Sequence, residues 1–177
     1  MTIVRRERPD DRAAIRAVNE LAFGTAVEAD LVDALRARGQ ATLSLVAVEA
    51  HRVVGHILFS PVSIKRRGER RGEPGGESVA ALGLGPMAVL PARQRQGVGS
   101  ALVRTGLAAC RDAGHGCVVV LGHPEYYPRF GFTRASRHGV TWEHPAPDEA
   151  FMLLELRAGA LGGRGGIVRY QAEFGAA

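Results

Sequence analysis

The chain has 177 residues, 46% of them apolar, with a formal charge of +5 and a pI near 10.0. That length suits one domain burying roughly 70% of its unfolded surface, and the positive charge admits nucleic acid, a membrane surface or an anionic small ligand without choosing among them. Two features exclude other classes: only Cys110 and Cys117 are present, each in an apolar setting, which argues against a disulfide framework, and no apolar run approaches the length of about 20 that spans a bilayer, so a cytoplasmic protein with reduced thiols is expected.

Residues 3–6 read as a short strand, and Asp10 and Asp11 offer N-cap chemistry to a helix carrying Ala14, Val18 and Leu21 on one face. A second helix follows, with Val27, Leu31, Ala34 and Leu35 at helical spacing and Gly39 closing it. Two strands come next, 43–49 and 53–65, joined by a short polar turn around His51 and Arg52. Pro61 predicts a bulge or bend in the second. The run 65–78 is charged and glycine-rich with nothing apolar to bury, and reads as an exposed loop between antiparallel strands. As a basic flap it could touch an anionic ligand, but it lacks the interleaved aromatics that stack on bases, which weighs against nucleic acid.

Beyond it lie a strand over 79–89, a helix from Gly97 to Ala113 with Val103, Leu107 and Cys110 on one face, and a continuous apolar run at 117–122. Strand, helix and strand in that order make a βαβ unit, which predicts a parallel strand pair with a right-handed crossover. The remainder holds a turn-rich part at 123–132, a strand at 150–156, a glycine-rich link and a final alternating stretch at 167–174. No internal repeat appears. A single domain over 1–177 is expected, with a core of about 3–156 and a strand-like extension over 157–177.

The stretch Gln94-Arg95-Gln96-Gly97-Val98-Gly99-Ser100 lies between the apolar strand and the long helix. Two glycines let the backbone turn tightly with its N–H groups pointing one way, and the helix adds its positive end, so the arrangement is an anion cradle. Arg93 and Arg95 add charge beside it. A dinucleotide fingerprint would need a third glycine where Leu102 stands, and the nucleotide P-loop pattern is absent, so neither NAD nor ATP chemistry fits.

The pattern Gln-x-x-Gly-x-Gly after a strand ending Met87-Ala88-Val89, with Tyr-Tyr-Pro-Arg-Phe-Gly-Phe at 126–132 downstream, resembles the GNAT superfamily of acetyl-CoA-dependent N-acetyltransferases. The likeness covers roughly residues 3–156, agrees in the order of elements, and is greatest to a bacterial branch of predicted acetyltransferases. It implies an α/β fold with a mixed, mostly antiparallel central sheet, a parallel splayed strand pair and flanking helices. It also implies an enzyme that moves an acetyl group from acetyl-CoA, as co-substrate, to a primary amine of a small molecule, peptide or protein.

Carried onto this sequence, the resemblance places the coenzyme A pyrophosphate on Gln94, Arg95, Gln96, Gly97, Val98, Gly99 and Ser100, and pairs the pantetheine arm with Met87, Ala88 and Val89. An N–H near Met87 or Ala88 would stabilise the oxyanion. Tyr127, four residues before Gly131, takes the place of the acid that protonates the departing thiolate, with Tyr126 as the alternative. The strand 82–89 has no carboxylate where some relatives place a glutamate, which leaves His123, Glu125, Glu28 or a water chain as candidates for the base.

The histidines show no ligand spacing, so no metal is expected, and Ser100 is not in a nucleophile elbow. Trp142 borders an acceptor pocket or is simply buried. Two other functions stand against the transferase: an acyl-CoA-binding sensor without catalysis, and a nucleic-acid-binding protein using the basic segment. The acceptor amine is not legible, and the last stretch could complete the monomer's own sheet or pair with another chain in a homodimer.

Overall fold

A computed structural model describes residues 1–66, 78–163 and 165–175. Its strands are β1 (Ile3–Arg6), β2 (Leu43–Glu49), β3 (Arg52–Lys65), β4 (Ser78–Val89), β5 (Cys117–Leu121), β6 (Thr133–Arg134), β7 (Val140–Trp142), β8 (Phe151–Glu155) and β9 (Gly166–Arg169). The helices are α1 (Arg12–Phe23), α2 (Val27–Ala37) and α3 (Val98–Asp112). The expected basic flap at 65–78 falls mostly outside the described residues. The chain folds as two compact units, the first of residues 1–60, 84–109 and 172–177, the second of 61–83 and 110–171.

In the first unit the strands run β1-β2-β3-β4, with β1, β2 and β3 antiparallel in succession. The turn between β2 and β3 holds Ala50 at φ 43° and His51 at φ 64°. Two successive left-handed residues are what a tight hairpin with the native strand twist demands. Ile15 of α1 and Leu31, Val32 and Leu35 of α2 pack with Val46 and Leu58. The buried face of α1 is Ile15, Val18 and Asn19, whereas the predicted Leu21 is 61% exposed. Asp11 precedes α1 without a side-chain capping bond to it. Its carboxylate instead takes both Arg5 guanidinium nitrogens, at 2.6 and 2.9 Å, and the Arg8 N–H at 2.7 Å.

α3 lies close on β3 because two glycines clear its path. A Cβ on Gly55 would stand 3.0 Å from Leu102 Cδ1, and one on Gly106 would stand 2.5 Å from Phe59 Cε2.

In the second unit the remaining parts of β3 and β4 continue into β5, β8 and β6, with β4 and β5 parallel and β5, β8 and β6 antiparallel. β9 pairs antiparallel with β3 through Ser63↔Arg169 to Lys65↔Ile167, and parallel with β7. The C-terminal stretch thus joins the chain's own sheet. β3 pairs β2 as far as Phe59 and β9 from Ser63, so Pro61, which has no N–H to give, sits where the strand changes partner. The core here includes Val62, Ile64, Cys117, Val119, Phe151, Leu153 and Val168. Neither cysteine is in a disulfide and both are buried, and burial pushes the Cys117 thiol up to about 11. The fold is mixed α/β and mostly antiparallel, as the sequence implied. The short strands β6 and β7 have no counterpart in the sequence pattern.

Candidate coenzyme loop and tyrosine turn

The glycine loop grows out of the end of β4. After Val89, residues Pro91–Arg93 form a 3-10 turn, Gln94 is extended at φ −65° and ψ 155°, and the chain then reverses with Arg95 at φ 59° and Gly97 at φ 88°. A Cβ on Gly97 would meet nothing within 4 Å, so glycine is there for its left-handed backbone rather than for space. The Ala101 N–H bonds the Gly97 carbonyl at 2.9 Å, opening the helix. The N–H groups of Val98, Gly99 and Ser100 therefore lie ahead of the helical ladder, at the positive end of a 15-residue helix with no acidic residue in its first turn.

Two glutamines staple this loop. Gln94 Nε2 donates to the Val89 carbonyl at 3.1 Å and Gln96 Nε2 to the Ala92 carbonyl at 2.9 Å. The glutamine of the motif is thus explained by local backbone bonding, fixing the loop to the end of its own strand. Gln94, Arg95, Gln96 and Gly97 are exposed, Gly99 and Ser100 half-buried, and Val98 is buried as the anchor. Arg93 is held by Glu49 at 3.2 Å, a partner the sequence does not suggest. At the end of β4, Met87 and Val89 are half-buried and Ala88 is buried. The structure therefore brings Met87 to Ser100 into one strand-turn-helix corner of the first unit, with a shape and polarity that suit an anion.

The second unit carries a tyrosine turn. Tyr127–Phe130 is a 3-10 turn closed by Gly131 at φ 94°. Tyr127 is only 6% exposed. Its ring meets Tyr126 edge-on at 5.1 Å and Phe132 edge-on at 5.6 Å, and a Cβ on Gly122 would overlap it. Gly122 is a seat for this ring that the sequence does not single out, since a glycine ending a strand usually reads as a turn. Burial, with a smaller contribution from Tyr126, pushes the Tyr127 phenol well above its usual range, so it holds its proton at neutral pH.

Tyr126 is the more exposed of the pair. Arg129 lies 4.4 Å over its ring and donates from Nε to its carbonyl at 3.2 Å. His123 and Glu125 lie on the same turn, whose backbone closes through Tyr126 N–H to the His123 carbonyl at 3.0 Å. Glu28 is in the first turn of α2 in the first unit, where its carboxylate accepts the Thr25 hydroxyl at 3.1 Å. That bond and the helix dipole account for it. Trp142 stacks on Phe151 at 6.2 Å and meets Tyr170 edge-on at 5.8 Å, which makes it part of the second core.

Comparison with known proteins bears on these two features. Residues 4–135 match the family model of the acetyltransferase (GNAT) domain. The N-acetyltransferase YhbS of Escherichia coli K12 is 35% identical over 97% of this chain and 98% of its own, and YjhQ of the same strain is 42% identical over 84% and 81%. The crystal structure of the E. coli YhbS protein in complex with CoA superposes with a TM-score of 0.88, covering 98% of this chain and 92% of that one. A GNAT acetyltransferase of Brucella melitensis in complex with acetyl-CoA is 40% identical with a TM-score of 0.75, covering 98% of each. With its glycine loop at the head of α3 and its relatives matched over nearly their full length, the chain belongs to the GNAT family of acetyltransferases, which are acyl-CoA-dependent enzymes.

Proposed function

We propose that this protein transfers an acetyl group from acetyl-CoA to a primary amine, with Tyr127 as general acid, and that the whole chain serves this reaction as one acetyltransferase domain. The observation that carries the reading is the Gln94–Ser100 corner: left-handed Arg95 and Gly97 turn the chain into a helix with no acidic first turn, whose Val98, Gly99 and Ser100 N–H groups lie ahead of the helical ladder. A pyrophosphate is the ligand such a corner takes, and two relatives of 35% and 40% identity were crystallised with CoA and acetyl-CoA. Residues 95–100 would cradle it, Gln94 would hold the loop to β4, and Met87 to Val89 would face the pantetheine.

In the reaction, the amine nitrogen attacks the thioester carbon, a C–N bond forms, and the C–S bond breaks as the oxyanion collapses. An N–H near Met87 or Ala88 would stabilise that oxyanion, typically worth about 10²- to 10³-fold. The departing thiolate takes the Tyr127 proton. Burial holds this phenol in its protonated form at neutral pH, so a proton is available to the thiolate. The ammonium proton leaves through His123, Glu125, Glu28 or a water chain to solvent, and solvent returns a proton to the Tyr127 phenolate.

Thermal unfolding tests the coenzyme reading, with NADH and ATP as matched controls. Acetyl-CoA at about 100 times its dissociation constant adds about 2.7 kcal/mol, a rise of roughly 5–10 °C in Tm. No rise under saturating conditions sinks the cradle assignment. Tyr127→Phe tests the acid: turnover falls by about 10²- to 10⁴-fold while the acetyl-CoA shift persists, and an unchanged turnover removes Tyr127 from the chemistry.

A further inference from the structure

A chain of polar side chains runs through the interior of the first unit, and the transferase reading does not use it. Asn19 of α1 and His56 of β3 are both 0% exposed. Asn19 Nδ2 donates one hydrogen to the Ile15 carbonyl at 2.9 Å and lies 3.2 Å from His56 Nδ1. On the other side of the ring, His56 Nε2 is 3.0 Å from Ser44 Oγ of β2. The Ser44 hydroxyl in turn donates to Glu7, whose other oxygen takes Arg36 Nε of α2 at 2.8 Å. Arg36 and Arg16 share Asp33, at 2.5 and 3.0 Å, and Arg16 returns the chain to α1.

The donors fix the protonation state of the imidazole. Ser44 has spent its one hydrogen on Glu7, so its oxygen can only accept, and His56 must carry N–H at Nε2. Asn19 Nδ2 has one hydrogen left after Ile15, so Nδ1 must be bare to receive it. The neutral Nε2–H tautomer is the only form that satisfies both neighbours.

We propose that the Asn19–His56–Ser44–Glu7 chain is an acid-sensitive latch, in which protonation of His56 at Nδ1 sets one N–H against another and frees α1 and α2 from the strands beneath. Turning the Asn19 amide over offers no escape, because its oxygen would then face the Ile15 carbonyl. The groups facing the ring are neutral Asn19 from α1, Ser44 from β2, the Glu7 carboxylate from the segment after β1 and the Arg36 guanidinium from α2. Burial is the main reason His56 resists protonation, with its pKa pushed down to about 4; Glu7 opposes this and Arg36 adds to it. The unfolded imidazole takes its proton near 6.5, so between 6.5 and 4 the open form binds more protons. The latch is at full strength above 6.5 and weakens as pH falls toward 4, with opening favoured by about 10²- to 10³-fold across the window.

An ¹⁵N NMR titration of the full chain, with amide exchange recorded at each pH, reads this directly. His56 should remain neutral, with its one proton at Nε2, as the pH falls through 6.5, where a free imidazole would charge. Protection factors in α1 and α2 should fall by about 10²- to 10³-fold as the pH drops from 6.5 to 4, ahead of those in α3. Protonation of His56 near 6.5 overturns the proposal, as does full protection of α1 and α2 at pH 4. In His56→Gln, which keeps a donor for Ser44 and cannot titrate in this range, the fall should vanish. The same fall in that variant would assign the acid response to Glu7 instead. If the variant does not fold, the wild-type titration decides alone.

Discussion

At the scale of single residues, the two features on which the proposed function rests depend on glycine for opposite reasons. Gly97 has open space and a left-handed backbone, so Gly97→Ala should cost about 1–2 kcal/mol through conformation alone and weaken acetyl-CoA binding. Calorimetry and a binding titration would check both. Gly122 has an ordinary backbone and no space, because the Tyr127 ring fills the volume where its Cβ would stand. Gly122→Ala should push that ring aside, lowering turnover with little change in acetyl-CoA affinity, and a normal rate would mean that the seat does not matter. Burial raises the Tyr127 phenol, so it stays protonated to higher pH than an exposed tyrosine. The pH profile of kcat should therefore stay flat through about pH 10, and a fall near that value in the wild type, absent in Tyr127→Phe, would contradict the buried acid.

At the scale of elements, α3 is held to the strand beneath it by shape. Leu102 and Val103 are 0% exposed, and Gly106 lets Phe59 press against the helix. Leu102→Ala should cost about 2–5 kcal/mol by leaving a cavity, and Gly106→Ala about 1–3 kcal/mol by overpacking, both measurable by urea unfolding. Because α3 also presents the N–H groups of the loop, each variant should loosen acetyl-CoA binding in step with lost stability. The same element shows where periodicity reads well. Spacing puts Val103, Leu107 and Cys110 on one face of a helix, and all three are buried. In α1 the same reasoning favours Leu21 over Asn19, because a 3.6-residue pattern ranks side chains by hydropathy, and a polar residue with two buried partners is invisible to it.

At the scale of the whole chain, the C-terminal stretch is structural. Leu161 is 3% exposed, Val168 is 0% exposed, and β9 bonds both β3 and β7. A chain cut after Arg157 should lose cooperative unfolding and expose apolar surface, seen as a broad transition and dye binding. A truncated protein with the full-length Tm would return this stretch to the role of an appendage. Among the described residues no helix is long and apolar enough to cross a membrane, and the excess charge of +5 is spread through a chain whose arginines are in several places already paired, as Arg5, Arg16, Arg36 and Arg93 show.

Local chemistry was enough for the sequence to determine much of this protein. Hydrophobic period placed β2, β4, β5, β8 and the three helices, and Gly97 with its motif marked an anion corner, because turn conformation and helix polarity are decided within a few residues. Only the tertiary structure decided the rest, since it depends on partners far away in the chain. Asn19 meets His56 across 37 positions, β9 finds β3 and β7, Glu49 takes Arg93, and Gly122 makes room for Tyr127. Each is a matter of what fills a given space or satisfies a given donor, and a pattern of residue types along a line carries neither volume nor direction.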